Sequence, residues 1–452
     1  MSSFSKLNKH LLDRLENDET FHTKDFSFFK IFQHGVIYAH NKSKNKTLKT
    51  YFHWPIFLQK LKYRYSGFFK KKSKIAPFLK ENLILEPGRI FTKENGDVVS
   101  IYFDKIKKII DGKYSTILLR SNSQISCDYV LDNLMVDNEA LDENETRMII
   151  AVNEVAAKLK NSNWYTTLEK NYITSALHVF LDTYRKYYRL IKNSSVKRLY
   201  FIAHYHNEGI IAAMNDLNIE VIEIQHGLIS KVDLYYCYNS RFSKHLERAF
   251  FSDNLILFGE YWKNILQDAA EWKQSQLIIG GEYMANAREK IVVAEKQNLI
   301  VVAAQKGMEK EYLPLISALK SQLLNHPEWH AIIKLHPLEK HPHLYEQFIS
   351  PQISIAEKGV DITELFSRAK IQLSIYSTTI YDAIGYELKN YCWLYDGMGR
   401  DYAEAMVEQG AANGLEISED PIELYLKNGS VEKEPKRMYF YAPFAPSKFL
   451  VQ

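Results

Sequence analysis

The sequence predicts an α/β protein built as two doubly wound domains facing each other across a cleft, and three observations lead there. The chain has 452 residues, 46% of them apolar, which is too long for one ordinary core and suits two domains on a scale of roughly 100 to 200 residues each. From residue 197 onward, short apolar runs alternate with helical segments, the pattern of parallel strands covered on both faces. Polar residues stand directly at the ends of several of those runs, where ligands of open parallel sheets bind.

The opening segment, MSSFSKLNKHLLDRLENDETFH, is too polar for a signal peptide, and no apolar run reaches the roughly 18 residues of a spanning helix. From Tyr51 the chain mixes Phe52, Trp54, Phe57, Leu58, Phe68 and Phe69 with Lys60, Lys62, Arg64, Lys70, Lys71, Lys72 and Lys74. Residues 51–74 therefore suit peripheral contact with an anionic membrane surface, or with a polyanionic glycan or lipid-diphosphate acceptor. A solvated face whose aromatics belong to the core is the plainer alternative. Residues 79–128 hold short extended runs with a turn at Asn95-Gly96. A long helical stretch from about Asp142 to Lys192 follows, interrupted near residues 161–163.

The period then changes. VKRLYFIAHY reads as a strand, NEGIIAAMNDLN as a helix ending at Asn218, and IEVIEIQHG as a second strand breaking at glycine, which together make a βαβ unit. NLILFGEYWKNILQDA and SQLIIGGEYM continue the same sheet. A second series starts with NLIVVAAQKG and runs through EYLPLISALKSQLLNHP, HAIIKLHP and IQLSIYSTTIYDAIGYELKN to YCWLYD. The domain boundary is expected near residues 283–295. That gives an N-terminal domain of 1–285, with its regular core about 197–285 behind a variable front part of 1–196. The C-terminal domain of 286–452 has its last residues packing back on the first.

Charge and cysteine content exclude several classes. Lys plus Arg is 58 against 54 Asp plus Glu, a net charge of +4, which gives no support to nucleic-acid binding. Cys127, Cys237 and Cys392 lie far apart without CxxC spacing, which argues against a disulfide framework or zinc site and for a reducing, cytoplasmic setting. Neither a Walker-type loop nor a GxGxxG fingerprint is present. No cofactor or metal is expected.

The chemistry is concentrated at strand ends. Gln225, His226 and Gly227 follow a buried strand; Gly227 is expected to allow a tight turn or close approach, and His226 to act as base, acid or anion partner near neutral pH. A capped core histidine is the plain reading. Lys334, His336 and Pro337 end another strand, where an ammonium and an imidazole suit a diphosphate or leaving phosphate; His341-Pro342 reads as a surface turn. At SIYSTTIYDAIGYE a helix is expected to begin at Ser377 or Thr378, so that Ser377, Thr378, Thr379 and the helix dipole hold a phosphate. Asp382 is placed to reach ribose hydroxyls and Gly385 to allow close packing. Gln305 and Gly307 follow the first strand of the second domain, an amide and a glycine suited to a base or phosphate. Asn207, Glu208 and Gly209 follow a strand of the first, with Glu208 a second candidate base.

The Gln-His-Gly turn, the Lys-x-His-Pro strand end and the Ser-Thr helix start followed by an acidic residue and alanine resemble the GT-B glycosyltransferases of bacterial capsule and lipopolysaccharide synthesis, over roughly residues 197–395. The likeness in character is to Kdo transferases, sialyl- and polysialyltransferases, and CDP-glycerol glycerophosphotransferases. The resemblance implies two Rossmann-like domains, an acceptor-binding one in front and a nucleotide-sugar-binding one behind. In sialyltransferase-like members a His-Pro motif and a Ser/Thr pair grip the CMP phosphate, which falls here on His336 with Pro337 and on Ser377 with Thr378. Their acidic base motif ends in glycine; here Asn207 stands in place of an acid before Glu208 and Gly209. In the glycerophosphotransferases a His-Gly motif abstracts the proton, which falls on His226, with Gln225 where they carry tryptophan.

The expectation is a metal-independent transferase moving a CMP-activated acidic sugar of the Kdo, sialic or pseudaminic type to a hydroxyl of a glycan or lipid-linked glycan acceptor. His226 or Glu208 would be the base, with Gln225 and Gly227 on the acceptor side. The enzyme would work in the cytoplasm or at the inner face of its membrane. The alternatives are a CDP-glycerol or CDP-ribitol phosphotransferase, a UDP-sugar enzyme such as an epimerase, and a catalytically silent binding subunit.

Overall fold

A computed structural model describes residues 18–29, 31, 78–93, 95–119, 125–131, 134, 140–205, 207–230, 236, 250–269, 272–285, 293–395, 400–428 and 437–450. The basic aromatic stretch of residues 51–74 lies outside them. Of the described residues, those from 18 to 226, from 236 to 285 and from 443 to 450 form one compact unit, and those from 227 to 230 and from 293 to 442 the other.

The first unit is built on β1 (Asn82–Glu86), the hairpin β2 (Ile90–Thr92) and β3 (Val98–Ser100), β4 (Tyr114–Leu118), β5 (Tyr129–Val130), β6 (Arg198–Phe201), β7 (Glu220–Ile224), β8 (Asn254–Leu257) and β9 (Leu277–Ile279). Its helices are α1 (Asp104–Ile110), α2 (Glu143–Asn161), α3 (Thr167–Ile191), α4 (Glu208–Asp216) and α5 (Glu260–Ala269). Seven strands make one parallel sheet in the order β5-β4-β1-β6-β7-β8-β9. In chain order that is 3-2-1-4-5-6-7, so the winding reverses between β1 and β6, the place where such sheets open a crevice at their carboxyl ends. The regular core thus starts at Asn82 rather than at residue 197, because β1 pairs with both β4 and β6.

Local chemistry explains the helices. Asp142 caps α2 by accepting from the Glu145 amide (3.0 Å), and Thr166 with Glu169 forms a reciprocal capping box on α3, which satisfies amides left open at a helix start. The interruption read near residues 161–163 is the gap between these two helices. Asn218, with φ 55°, ends the turn after α4, a conformation asparagine tolerates better than most residues. Gly209 is needed for packing rather than chemistry: a Cβ there meets the Phe180 carbonyl oxygen of α3 at 2.5 Å. Gly209→Ala is therefore expected to cost about 1–3 kcal/mol, the usual range for overpacking, read as a lower urea midpoint at unchanged slope.

The segment 443–450 belongs to this unit. The Ala445 amide donates to Gly280 O (2.9 Å), Tyr200 OH donates to Phe449 O (2.8 Å), and Phe449 is buried edge-on against Tyr283.

The second unit holds β10 (Leu299–Ala303), β11 (His330–Lys334), β12 (Ile353–Ile355), β13 (Ile371–Ser374), β14 (Lys389–Trp393) and β15 (Asn413–Leu415). Its helices are α6 (Glu309–Leu323), α7 (His343–Glu346), α8 (Ile362–Arg368), α9 (Thr379–Asp382), α10 (Arg400–Glu408), α11 (Pro421–Asn428) and α12 (Arg437–Phe440). The six strands are parallel in the order β12-β11-β10-β13-β14-β15, that is 3-2-1-4-5-6, with the reversal between β10 and β13. Each unit is therefore a Rossmann-like, doubly wound domain. Among the described residues no helix is long and apolar enough to cross a membrane.

Candidate active site

On the first sheet three neighbouring strands deliver side chains to one rim. Arg89 follows β1, Tyr205 follows β6 and His226 follows β7. His226 Nε2 and the Tyr205 hydroxyl are 2.8 Å apart, and His226 Nδ1 is buried with no hydrogen-bond partner. Tyr102 joins the group: Arg89 Nη1 donates to its oxygen (3.0 Å), its hydroxyl faces the His226 carbonyl (3.4 Å), and its ring stands edge-on to the imidazole at 6.3 Å. Burial pulls the His226 pKa down to about 4, helped by the positive Arg89 and by His204 and opposed by the negative Glu223. The imidazole is thus neutral at pH 7 and able to accept a proton.

Beneath this rim lies a buried carboxylate. Glu223, in β7, accepts from the His204 amide (3.0 Å), Tyr236 OH (2.8 Å) and Ser252 Oγ (2.8 Å), and pairs with His204 Nδ1 at 2.7 Å. Burial opposes its charge, but His204 and these hydrogen bonds prevail and hold its pKa at about 2. The backbone just beyond β6 is strained: Ala203 has φ 61°, in the left-handed region that costs an alanine of order 1 kcal/mol or more. Asn207 Nδ2 donates to the Ala203 carbonyl at 2.6 Å and braces it.

Several sequence expectations change on this rim. Gln225 is fully buried and its Oε1 accepts from the Phe258 amide (2.9 Å), so it ties β7 to the chain beyond β8 and does not present its amide to an acceptor. Gly227 lacks a positive φ, and a Cβ there meets nothing within 4 Å; neither a forced turn nor close approach explains it. Glu208 opens α4 and is 7% exposed. On α3, burial first and the charge of Glu208 second raise the Tyr172 hydroxyl pKa. Of the two candidate bases, His226 is the one brought together with other titratable groups on the rim.

On the second sheet, the predicted residues follow three adjacent strands. Gln305 and Gly307 come after β10, Lys334 ends β11 with His336 and Pro337 beyond it, and Ser377, Thr378 and Thr379 follow β13. Gln305 Oε1 accepts from the Tyr376 amide (3.2 Å) and from Tyr312 OH (3.3 Å), so it bridges the switch point instead of standing free. Gly307 has φ 80°, a left-handed position that glycine suits. Lys334 is half-buried; burial lowers its pKa and Asp361 acts in the opposite sense. His336 is exposed, with Nδ1 accepting from the Leu338 amide (3.0 Å).

The Ser-Thr segment is less regular than predicted. β13 ends at Ser374, and α9 is a single turn of four residues, too short for the expected dipole. Thr378 makes no capping bond with its side chain; Ser377 Oγ accepts from the Thr379 amide (3.3 Å), and Thr379 Oγ1 accepts from Gln372 Nε2 (2.9 Å). Asp382 Oδ1 accepts from Tyr441 OH at 3.1 Å, so this carboxylate holds the segment around α12. Gly385 has φ 95°, a left-handed backbone position that glycine suits. His341 is exposed and in a turn, as read.

Arg89, Tyr102, Tyr205 and Glu223 escaped the sequence reading. Arg89 sits in EPGRIF, where Gly88 (φ 80°) marks a turn after a strand, and that strand-then-glycine signal was the one available clue. Among the described residues no group of three or more His, Cys, Asp or Glu side chains could hold a metal.

No protein-family model and no curated protein matches the chain. Among solved structures it is similar to MnaA of S. aureus with UDP, at 12% identity and TM-score 0.44 over 82% of this chain and 95% of that one. It is similar to the UDP-GlcNAc 2-epimerase of Methanocaldococcus jannaschii, at 12% identity and TM-score 0.45 over 80% and 96%. A third likeness is to the glycotransferase of kitacinnamycin, at 9% identity and TM-score 0.42 over 83% and 94%. Likenesses this distant assign no activity; the strand order of the two sheets defines the fold.

Proposed function

We propose that this protein is a GT-B glycosyltransferase that moves an acidic sugar from a CMP-activated donor to a hydroxyl of a bacterial surface glycan. The observation that carries the reading is His226, half-buried on the rim of the first sheet with Nε2 2.8 Å from the Tyr205 hydroxyl. The second unit takes the donor: Lys334, His336 and the hydroxyls of Ser377 and Thr378 follow adjacent strands and neutralise and hydrogen-bond the departing phosphate. In the reaction the acceptor oxygen forms a bond to the anomeric carbon, the bond from that carbon to the CMP phosphate oxygen breaks, and the acceptor proton goes to His226.

A thermal-shift series with CMP, CDP, UDP and GDP tests the donor. CMP at a hundred times its Kd is expected to stabilise the native state by about 2.7 kcal/mol, with the other three nucleotides weaker. Stabilisation by CDP above CMP gives the phosphotransferase reading the lead, and by UDP the UDP-sugar reading. No shift with any of the four removes the nucleotide-sugar reading.

A further inference from the structure

We propose that Arg89 forms a binding site for an anionic group of the substrate, a carboxylate or phosphate, beside the His226 imidazole at the carboxyl rim of the first sheet. The substrate's identity rests on the transferase reading; the site itself lies wholly within the first unit.

Arg89 is exposed, and no carboxylate among the described residues pairs with it. A guanidinium at a switch point that pairs with no described carboxylate is a fork of donors suited to carboxylate or phosphate. Its direction is set by Tyr102, which is 1% exposed and meets both Arg89 Nη1 and the His226 carbonyl. One rigid phenol thus joins the cation to the turn that carries the imidazole. The hydrogen bond to Tyr102 uses one donor of the five on a guanidinium.

Such an anion would do more than anchor the substrate. The groups acting on His226 are Arg89 and His204, which disfavour its protonation, Glu223, which favours it, and the hydroxyls of Tyr102 and Tyr205. A bound anion cancels the influence of Arg89 and adds a negative charge beside the ring, so both changes raise the basicity of His226. The base is then weak in the empty protein and strengthened when an acidic substrate arrives.

The test follows the His226 ring protons by NMR through a pH titration, with the resonance assigned by its loss in His226→Gln. The probes are sulfate, methyl glucuronoside and the uncharged methyl glucoside, and no nucleotide is present. Sulfate and the glucuronoside are expected to raise the His226 pKa by about one unit and the glucoside to leave it in place. Arg89→Gln is expected to raise the pKa of the empty protein and to lose the response to both anions. An unmoved resonance in the wild-type protein, or an equal anion response in Arg89→Gln, overturns the site. A response to sulfate alone identifies the phosphate-like arm, and to the glucuronoside alone the carboxylate arm. Because no donor is used, failure of the nucleotide series leaves this result standing, and the reverse is equally true.

Discussion

His226→Ala is expected to lower the transfer rate by roughly 100- to 10,000-fold, the range for losing a positioned general base, with the thermal midpoint nearly kept. The cost in stability is modest because Nδ1 has no hydrogen-bond partner to lose and the half-exposed ring gives up one hydrogen bond, to the Tyr205 hydroxyl, and its contacts with the Tyr102 and Tyr205 rings. The measurement is kcat and KM with a radiolabelled CMP-sugar, beside a melting curve. A rate within threefold of wild type would move the base role to another residue, with Glu208→Gln the next variant.

The pH profile adds a second check. With a His226 pKa of about 4 in the empty protein, the unprotonated base persists well below the usual imidazole range. The acid limb of kcat/KM, which reports the free enzyme, is expected to fall as pH drops through about 4. A limb at 6.5 would mean that the imidazole is solvated and the rim more open than the structure has it.

The second large effect is on stability. Glu223→Gln is expected to destabilise the protein by about 3–5 kcal/mol, the cost of breaking a buried charged pair by removing one partner, because the amide presents donors where His204, Tyr236 and Ser252 already point theirs. Urea denaturation reads the loss. A change under 1 kcal/mol would show that the carboxylate does not hold this cluster.

The linkage has a definite sign. The folded Glu223 pKa, about 2, lies below the ordinary glutamate value of 4.5, so its contribution is full above pH 4.5 and is lost as pH falls toward 2. His226 acts in a neighbouring window: between 6.5 and about 4 the unfolded chain binds a proton that the native imidazole refuses, so stability declines across that interval as well. Wild-type stability should therefore fall from about pH 6.5 downward, and the portion below 4.5 should shrink in Glu223→Gln.

Much of the architecture was local and therefore readable. Parallel strands buried on both faces appear as apolar runs, and LIVVA and NLILE are such runs. Asp142 and Thr166 announce their helices through hydrogen bonds to residues three positions away. The βαβ unit at 197–227 follows from one change of period, and with it the position of His226 directly after a strand. The alternation of such units, without any motif, determined that two wound sheets would form and that their carboxyl ends would carry polar groups.

What only the tertiary structure decided depends on pairing between distant segments. Asn82–Glu86 became an interior strand of the first sheet because it lies between β4 and β6, and that placement put Arg89 on the same rim as His226. Glu223 looks like the polar side of an alternating strand in EVIEI, yet both faces of β7 are covered, so its charge had to be met by His204, Tyr236 and Ser252. Gln225 and His226 are neighbours in sequence, but one was turned into the sheet and the other left on the rim. Residue type and spacing determine which elements can form; strand order and burial determine which side chains face one another, because those depend on contacts between residues far apart in the chain.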